Sequence, residues 1–125
     1  MDEAEVIALS TRWWDEIWRD GRVDVVDEIF ADPFVRHVGH GTIGTRRAEY
    51  KSMLAEFQRT LFRPTTTIDD RVVDGDKVWT RATSKGTNRA TGEPTTLTWM
   101  LIQRIADGRI VEHWLVTVRD VNWTE

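Results

Sequence analysis

Two histidines, His37 and His40, are the side chains best suited to proton transfer in this 125-residue sequence. They lie in the segment Phe34-Val35-Arg36-His37-Val38-Gly39-His40-Gly41. The unperturbed pKa of imidazole is about 6.5, so a histidine exchanges protons readily near neutral pH. The segment therefore predicts acid–base chemistry on a small molecule. The alternative for each histidine is a ring that is hydrogen-bonded to a loop carbonyl.

A metal site is a second interpretation of the same histidines, with His113 or Glu112 as the third ligand. Metal ligands are usually held by hydrogen-bond partners of their own, and the sequence identifies no such partners. No phosphate-binding glycine loop, nucleotide fingerprint or calcium loop is present either. We therefore expect neither a metal nor a cofactor.

Tryptophan is unusually frequent, with seven residues in the chain. Side chains of this size fill a core or line a pocket or an interface. Trp13, Trp14, Trp18 and Trp99 together predict an apolar cavity for a flat, ring-containing molecule, although simple core filling explains any one of them. Tyr50 is expected to donate its hydroxyl to a ligand oxygen, or else to be a core tyrosine whose hydroxyl reaches solvent.

Composition excludes several functional classes. The chain has 17 Lys and Arg residues against 21 Asp and Glu residues, a net charge of -4, which argues against a nucleic-acid partner. The absence of cysteine excludes thiolate nucleophiles and sulfur-ligated metals and suits a reducing cytoplasm. The apolar runs are too short to cross a membrane, and the acidic N-terminal residues do not resemble a secretory signal. We expect a single cytoplasmic domain spanning residues 1–125.

Apolar residues in the first half of the chain recur with the period of a helix. Glycine, proline and threonine at the ends of these stretches set the expected boundaries. Three helices are predicted: residues 6–17 with Gly21 as the C-terminal cap, residues 25–30 before Asp32-Pro33, and a third that begins at Thr45, includes Leu61 and stops at Arg63-Pro64.

The second half of the chain is rich in residues that favour strands. Asp107-Gly108 between two such stretches predicts a tight hairpin turn. Together the stretches predict an antiparallel meander of four strands, preceded by a short extended piece at residues 34–38. The four strands are expected at residues 65–73, 77–85, 95–105 and 109–118.

Five segments resemble the SnoaL-like polyketide cyclases, within the wider nuclear-transport-factor-2-like (NTF2-like), or ketosteroid-isomerase-like, superfamily. The resemblance extends from the first helix to Trp114. It implies an α+β NTF2-like cone, in which three N-terminal helices pack on a curved, mainly antiparallel sheet, with a pocket at one end. It also implies a homodimer through the outer sheet face. The segments are Phe34-Val35-Arg36-His37, Gly44-Thr45-Arg46, Asp74-Gly75-Asp76-Lys77-Val78, Gly86-Thr87-Asn88 and Asp107-Gly108-Arg109-Ile110-Val111-Glu112-His113-Trp114.

The resemblance further implies an enzyme that works without a cofactor, using one carboxylate near the end of the last strand. The position expected for the cyclase acid, four residues after Trp114, is Val118. The position of the related epoxide-hydrolase acid is Val116, and Ala82 and Ser84 lie near where the second aspartate of those enzymes and its linked arginine would align. The sequence departs from the family pattern at all of these positions.

Asp120 is the carboxylate that a regular strand would place on the same side as Trp114, Val116 and Val118. A strand extended by two residues would bring it to the family's acid position. The alternative is a solvated carboxylate in a loose terminus. In the catalytic interpretation Asp120 is the base, and His37, which matches a family position that commonly faces the pocket, hydrogen-bonds or protonates the enolate oxygen.

The expected function is cyclase- or isomerase-type acid–base chemistry, without a cofactor, on a hydrophobic, ring-containing carbonyl compound. Two alternatives are a non-catalytic ligand carrier and an epoxide hydrolase or dehydratase of the same fold. Glu112 is expected at the pocket rim or in a cross-strand ion pair, and His113 on the outer face at a dimer contact. The expected substrate-binding residues are Trp14, Trp18, Phe34, His40, Tyr50, Trp99, Trp114, Val116 and Val118.

Overall fold

The computed structural model describes residues 2–125, apart from the side chains of residues 62 and 63. Helix α1, Glu3–Arg12, begins at Asp2, whose carboxylate accepts the backbone N–H of Glu5 while the Glu5 carboxylate accepts that of Asp2. This reciprocal pair satisfies two N–H groups at the start of the helix. The chain continues directly into a π-helical segment, Trp13–Arg19, and Gly21 follows with a φ of +71°. The predicted first helix is confirmed.

The other two helices are shorter than predicted. A 3-10 turn, Val23–Val25, precedes α2, Val26–Ile29, and Asp32-Pro33 lies inside the strand that follows instead of stopping a helix. Helix α3, Arg47–Gln58, follows two strands, so the helices do not form one N-terminal block. Thr45 ends a strand instead of starting α3, and Leu61 begins the next strand. Within residues 2–125, no helix is long and apolar enough to span a bilayer.

Six strands form one sheet in the order β2-β1-β6-β5-β4-β3. All neighbouring pairs are antiparallel except β1 and β6, which are parallel. The predicted four-strand meander is confirmed as β3 to β6, and Asp107-Gly108 makes the expected turn with φ values of +53° and +73°. Strand β2 was not predicted. The strands are β1 Phe30–Val38, β2 Gly41–Thr45, β3 Leu61–Asp74, β4 Lys77–Asn88, β5 Pro94–Ala106 and β6 Arg109–Arg119.

A bulge at Val111 decides which residues of β6 face the core. Ile105 pairs with Ile110, whereas the preceding Arg104 pairs with Glu112, so β6 holds one residue more than β5 at this point. An extra residue inverts the alternation of side chains beyond it. Ile110 and His113 are therefore both buried.

Helices packed on this sheet make an α+β fold with one apolar core. The core consists of side chains from α1, the π-helical segment, α2 and α3 that meet the inner face of β4 to β6. Trp13, Ile17 and Phe30 are among its largest fully buried members. Tryptophans from the helical side and from β5 meet within it, which places the predicted aromatic cluster at the junction of the two layers.

Candidate functional site

A cavity of about 530 Å³ opens between the helices and the inner face of the sheet. We call it the indole cavity, because Trp13, Trp18 and Trp99 all line it. Helix α3 supplies Tyr50 and other apolar side chains, whereas β1, β5 and β6 supply the opposite wall. Its size suits a molecule of several fused rings, and pockets of this volume commonly hold small ligands.

The three indole rings are held in fixed positions by one another and by hydrogen bonds. Trp13 and Trp18 are parallel, with ring centres 6.4 Å apart, and Trp99 meets both edge-on at 5.9 and 4.7 Å. The Nε1–H groups of Trp99 and Trp18 donate to the Ser84 hydroxyl at 2.9 and 3.2 Å. Ser84 is thus the shared anchor of an apolar wall whose donors are already paired. Ala82, two residues before Ser84 on β4, is fully buried.

Tyr50 occupies the polar end of the cavity. Its hydroxyl oxygen accepts the Nε1–H of Trp13 at 2.9 Å, and burial raises the pKa of the phenol to about 12. The guanidinium carbon of Arg36 lies 5.6 Å from the centre of the Tyr50 ring, a cation–π geometry. The phenol is therefore neutral at physiological pH.

His113 faces this same end, so the prediction that it lies on the outer face is wrong. The bulge at Val111 turns it inward, where it is 2 % exposed and lines the cavity. The amide nitrogen of Gln103 lies 3.0 Å from His113 Nε2, and Ser10 donates to the Gln103 carbonyl oxygen at 2.5 Å. An amide nitrogen only donates, so Nε2 of His113 accepts and Nδ1 carries the proton.

The charge state of His113 follows from its surroundings. Burial, and after it the positive charge of Arg36, lowers the pKa of His113 to about 3. The imidazole is therefore neutral near pH 7. Its Nδ1–H is therefore a donor that carries no charge.

His37 lies on the opposite face of the sheet, so the prediction that it faces the pocket is wrong. Its ring stacks on Trp114 at 4.9 Å, and its nitrogens lie 2.8 Å from the Thr42 hydroxyl and 2.6 Å from the Glu112 carboxylate. Glu112 also accepts from Arg104 at 2.9 Å, which confirms the predicted cross-strand ion pair. The hydrogen bond from His37, followed by that from Arg104, lowers the pKa of Glu112.

The other predicted residues of β6 also lie outside the cavity. Val116 and Val118 are 61 % and 38 % exposed, because the bulge turns them outward together with Trp114. Asp120 is exposed in the turn after β6, and its backbone N–H donates to the Thr96 carbonyl at 2.8 Å. The structure does not bring Asp120 and His37 together. Their predicted acid–base role stays a prediction, without a shared cavity to act in.

A SnoaL-like domain model matches residues 11–113, which is most of the chain. This protein belongs to the SnoaL-like family. No protein of curated function matches its sequence.

Solved structures similar to this SnoaL-like protein cover nearly its full length. IdmH from Streptomyces antibioticus, classed as a polyketide cyclase, is 27 % identical over 90 % of this chain and 91 % of its own, with a TM-score of 0.75. A SnoaL-like protein from Jannaschia, also classed as a polyketide cyclase, is 20 % identical over 92 % and 86 %, with a TM-score of 0.82.

A third similar structure has a ketosteroid-isomerase-like fold. It is a ketosteroid-isomerase-like protein from Catenulispora acidiphila in complex with trimethylamine, 18 % identical over 86 % of this chain and 83 % of its own, with a TM-score of 0.73. The fold is therefore NTF2-like, as the sequence resemblance implied.

Among the remaining predicted positions, Trp18, Trp99, Tyr50 and His40 line the cavity of this SnoaL-like protein. Two do not, so their predicted pocket positions are wrong. Phe34 is buried behind Tyr50, with ring centres 5.0 Å apart. Trp14 faces a separate hollow, lined also by Asp15, Arg19 and Thr65.

Two arginines of the cavity wall, Arg36 and Arg119, were missed by sequence reasoning. Arg36 shares a side of β1 with the buried Phe34, whereas the next residue, His37, faces outward. Strand alternation alone would have placed Arg36 inward once Phe34 was assigned to the core. No such signal was available for Arg119, because its orientation depends on the bulge at Val111.

Proposed function

We propose that this SnoaL-like protein binds a ring-containing carbonyl compound in the indole cavity and promotes proton transfer at the carbon next to the carbonyl. One observation supports this above all: three fixed indole rings and two neutral hydrogen-bond donors, Tyr50 and His113, line the same cavity. Such chemistry underlies cyclisation and isomerisation and requires no cofactor.

Binding would depend on the apolar wall. Trp13, Trp18 and Trp99 offer ring faces and edges to a flat ligand, and aromatic rings attract one another in both arrangements. Hydrogen bonds to Ser84 and Tyr50 already satisfy the indole N–H groups, so the wall does not compete for the polar atoms of the ligand. Oxygen atoms of the ligand are thereby directed toward the polar end.

Tyr50 and His113 would stabilise the negative charge that develops on a carbonyl oxygen when the adjacent carbon loses a proton. The Tyr50 oxygen accepts from Trp13, which leaves its own O–H to donate. His113 accepts at Nε2, which leaves Nδ1–H to donate. Fixed donors that face the developing negative charge lower the barrier to enolate formation.

His40 would serve as the base. It lies in the turn between β1 and β2 and lines the cavity. Its imidazole takes the proton from the carbon, and the imidazolium then returns that proton to carbon or oxygen. No atoms are gained or lost in this cycle, as an isomerisation or an intramolecular cyclisation requires.

The test is deuterium exchange at the activated carbon of 2-tetralone in D₂O, followed by NMR. We expect exchange above the buffer rate, about 100-fold slower with Tyr50→Phe and reduced to the buffer rate with His40→Gln. His37→Gln is the matched control, because it removes an imidazole from the opposite face and should leave exchange unchanged. Exchange at the buffer rate with wild-type protein, despite binding, would contradict the catalytic part of the proposal.

A non-catalytic carrier is the second candidate, and one observation favours it. Among the residues of the described chain that line the indole cavity, none is an aspartate or a glutamate. A cavity without a carboxylate base can hold a ligand and leave it unchanged. Binding of 2-tetralone with no exchange would support this candidate.

We further propose that two copies of the chain pair through the outer sheet face. Trp79, Met100 and Val116 are 46 %, 49 % and 61 % exposed on three adjacent strands, and Met100 pairs with Val116 in register. An apolar patch that extends across several strands is typical of a protein–protein interface. The outward Trp114 of β6 extends the same face.

A further inference from the structure

We propose that Arg36 is an anion-binding subsite at the polar end of the indole cavity, next to the Tyr50 and His113 donors, and that the ring-bearing ligand carries a carboxylate in addition to its carbonyl group. This inference rests on the proposed function, in which the indole cavity is the ligand site. It adds the charge and the chemical class of the ligand, as well as the end of the cavity at which its charged group binds.

The three polar side chains at this end each offer an N–H or O–H donor to a ligand. Arg36 carries five N–H groups and no acceptor. The Tyr50 oxygen already accepts from Trp13, and His113 Nε2 already accepts from Gln103. What remains for a ligand is the Tyr50 O–H, the His113 Nδ1–H and the guanidinium, a set that favours oxygen atoms carrying negative charge.

Charge balance leads to the same conclusion. Arg36 is partly buried, and no hydrogen bond or ion pair joins its guanidinium to any residue in the described part of the chain. A partly buried guanidinium that has no counter-ion in the protein can pair with an anionic group of a ligand. A carboxylate supplies that counter-ion, and its two oxygens match the planar fork of an arginine.

Arg36 lies close enough to Tyr50 and His113 for one ligand to place its carboxylate on the guanidinium and its carbonyl oxygen on the other two groups. Arg36 and His113 are direct partners in the β1–β6 register. The guanidinium carbon lies 5.6 Å from the centre of the Tyr50 ring, and the rings of Tyr50 and His113 lie 6.4 Å apart. A carboxylate bound here would leave the rings of the ligand to extend along the indole wall.

Arg119 provides a matched control. It also lines the cavity, but it follows His113 by six residues on β6, which is about 20 Å along an extended strand. Arg119 is exposed and lies at the far end of the cavity. Arg119→Gln changes the net charge of the protein by the same amount as Arg36→Gln, but it leaves the proposed subsite intact.

The experiment compares 2-naphthoate with 2-naphthamide, two probes of nearly equal shape that differ in charge, by calorimetric titration at pH 7. Wild-type protein is expected to bind 2-naphthoate about 10-fold more tightly or better. Arg36→Gln should remove this preference, and Arg119→Gln should retain it. Arg36→Lys keeps the positive charge but not the planar guanidinium that donates two parallel hydrogen bonds. It should bind 2-naphthoate several-fold less tightly than wild type.

Three results would overturn the inference. Equal binding of the two probes to wild-type protein removes the anion preference but leaves the cavity as a ligand site. A preference that survives Arg36→Gln and Arg36→Lys, or disappears only with Arg119→Gln, removes the subsite from this end. Failure of both probes to bind contradicts the proposed function together with this inference.

Discussion

The imidazole of His113 lies among the rings of Trp13, Phe30 and Tyr50, with ring centres 5.2 to 6.4 Å away. Its surroundings, more than its identity as a histidine, determine its chemistry. A histidine in solution is about one quarter protonated at pH 7, but this one is neutral there because burial disfavours the charged form. The residue therefore acts as a donor in the proposed site and not as a base.

Acid sensitivity of folding follows from this burial. The pKa of His113 is about 3 when folded and about 6.5 when unfolded, so between these values the unfolded chain binds more protons. The contribution of His113 to stability is fully present above pH 6.5 and is lost as the pH falls toward 3. We expect its share of the unfolding free energy to fall by about 2 to 3 kcal/mol between pH 7 and pH 4.5.

Urea unfolding at several pH values measures this contribution. The control is His113→Gln, which keeps a polar side chain but cannot take up the proton. Carboxylates with lowered pKa values, such as Glu112 and Glu16, add to the acid sensitivity of both proteins. The wild-type curve should therefore be steeper than that of the variant. Parallel curves would show that His113 is not buried as a neutral ring.

Asp120→Asn tests the role first assigned to this residue from the sequence. Asparagine tolerates a positive φ like the +62° of Asp120, so the variant should fold normally. Because Asp120 is exposed and outside the cavity lining, we expect binding and exchange of 2-tetralone to stay within about two-fold of wild type. A loss of exchange without a loss of binding would restore Asp120 as the acid–base residue.

At the level of elements, strand β6 shows what sequence patterns can and cannot predict. Its turn, its length and its pairing with β5 follow from Asp107-Gly108 and from strand-forming residues. The sequence does not predict which side chains of β6 face the core, because the extra residue, Val111, suits a strand as well as its neighbours do. The interpretation of Trp114 and Asp120 as inward residues depended on regular alternation, and it failed at this bulge.

Pairings between distant parts of the chain could not be predicted from the sequence either. Strand β1 pairs with β6 in parallel. Strand β2, a short, glycine-containing strand over residues 41–45, pairs with β1 and forms the edge of the sheet. Neither has the long apolar run that identifies a strand on its own. Arg36 and His113 come together only through this parallel pairing, so the polar end of the site could not be predicted from local patterns.

The junction of strand β4 with the π-helical segment provides a stability test. Ser84 on β4 is fully buried and accepts the indole N–H of Trp99, and Trp18 has Thr66 as an additional acceptor. Ser84→Ala leaves the Trp99 donor unpaired, and we expect a loss of about 1 to 3 kcal/mol in the free energy of unfolding. Ser52→Ala, on the exposed side of α3, is the matched control. Equal stability of the two variants in urea would contradict the anchoring role of Ser84.

At the level of the whole molecule, the sheet separates two apolar surfaces with different roles. The inner face closes the core and the indole cavity, whereas the outer face leaves Trp79, Met100 and Val116 exposed. Tryptophan content alone did not distinguish a cavity from an exposed surface, and the structure has tryptophans in both the cavity wall and the exposed outer face. The His37–Glu112–Arg104 network belongs to the outer surface as well.

The proposed dimer predicts a mass twice the 14.5 kDa of one chain in size-exclusion chromatography with light scattering. Met100→Glu places a charge among apolar neighbours of the outer face and should yield the monomer. Ser52→Glu adds the same charge on α3 and should leave the dimer intact. A wild-type monomer, or a dimer that tolerates Met100→Glu, would refute pairing through this face.

The most direct test of the central claim, that the indole cavity binds a ring-containing ligand, is NMR of the indole N–H groups during titration with 2-tetralone. The seven tryptophans report separately on the two faces of the sheet. We predict shifts for Trp13, Trp18 and Trp99 and none for Trp79 and Trp114. Shifts confined to Trp79 and Trp114, or no shifts at saturating ligand, would contradict the claim.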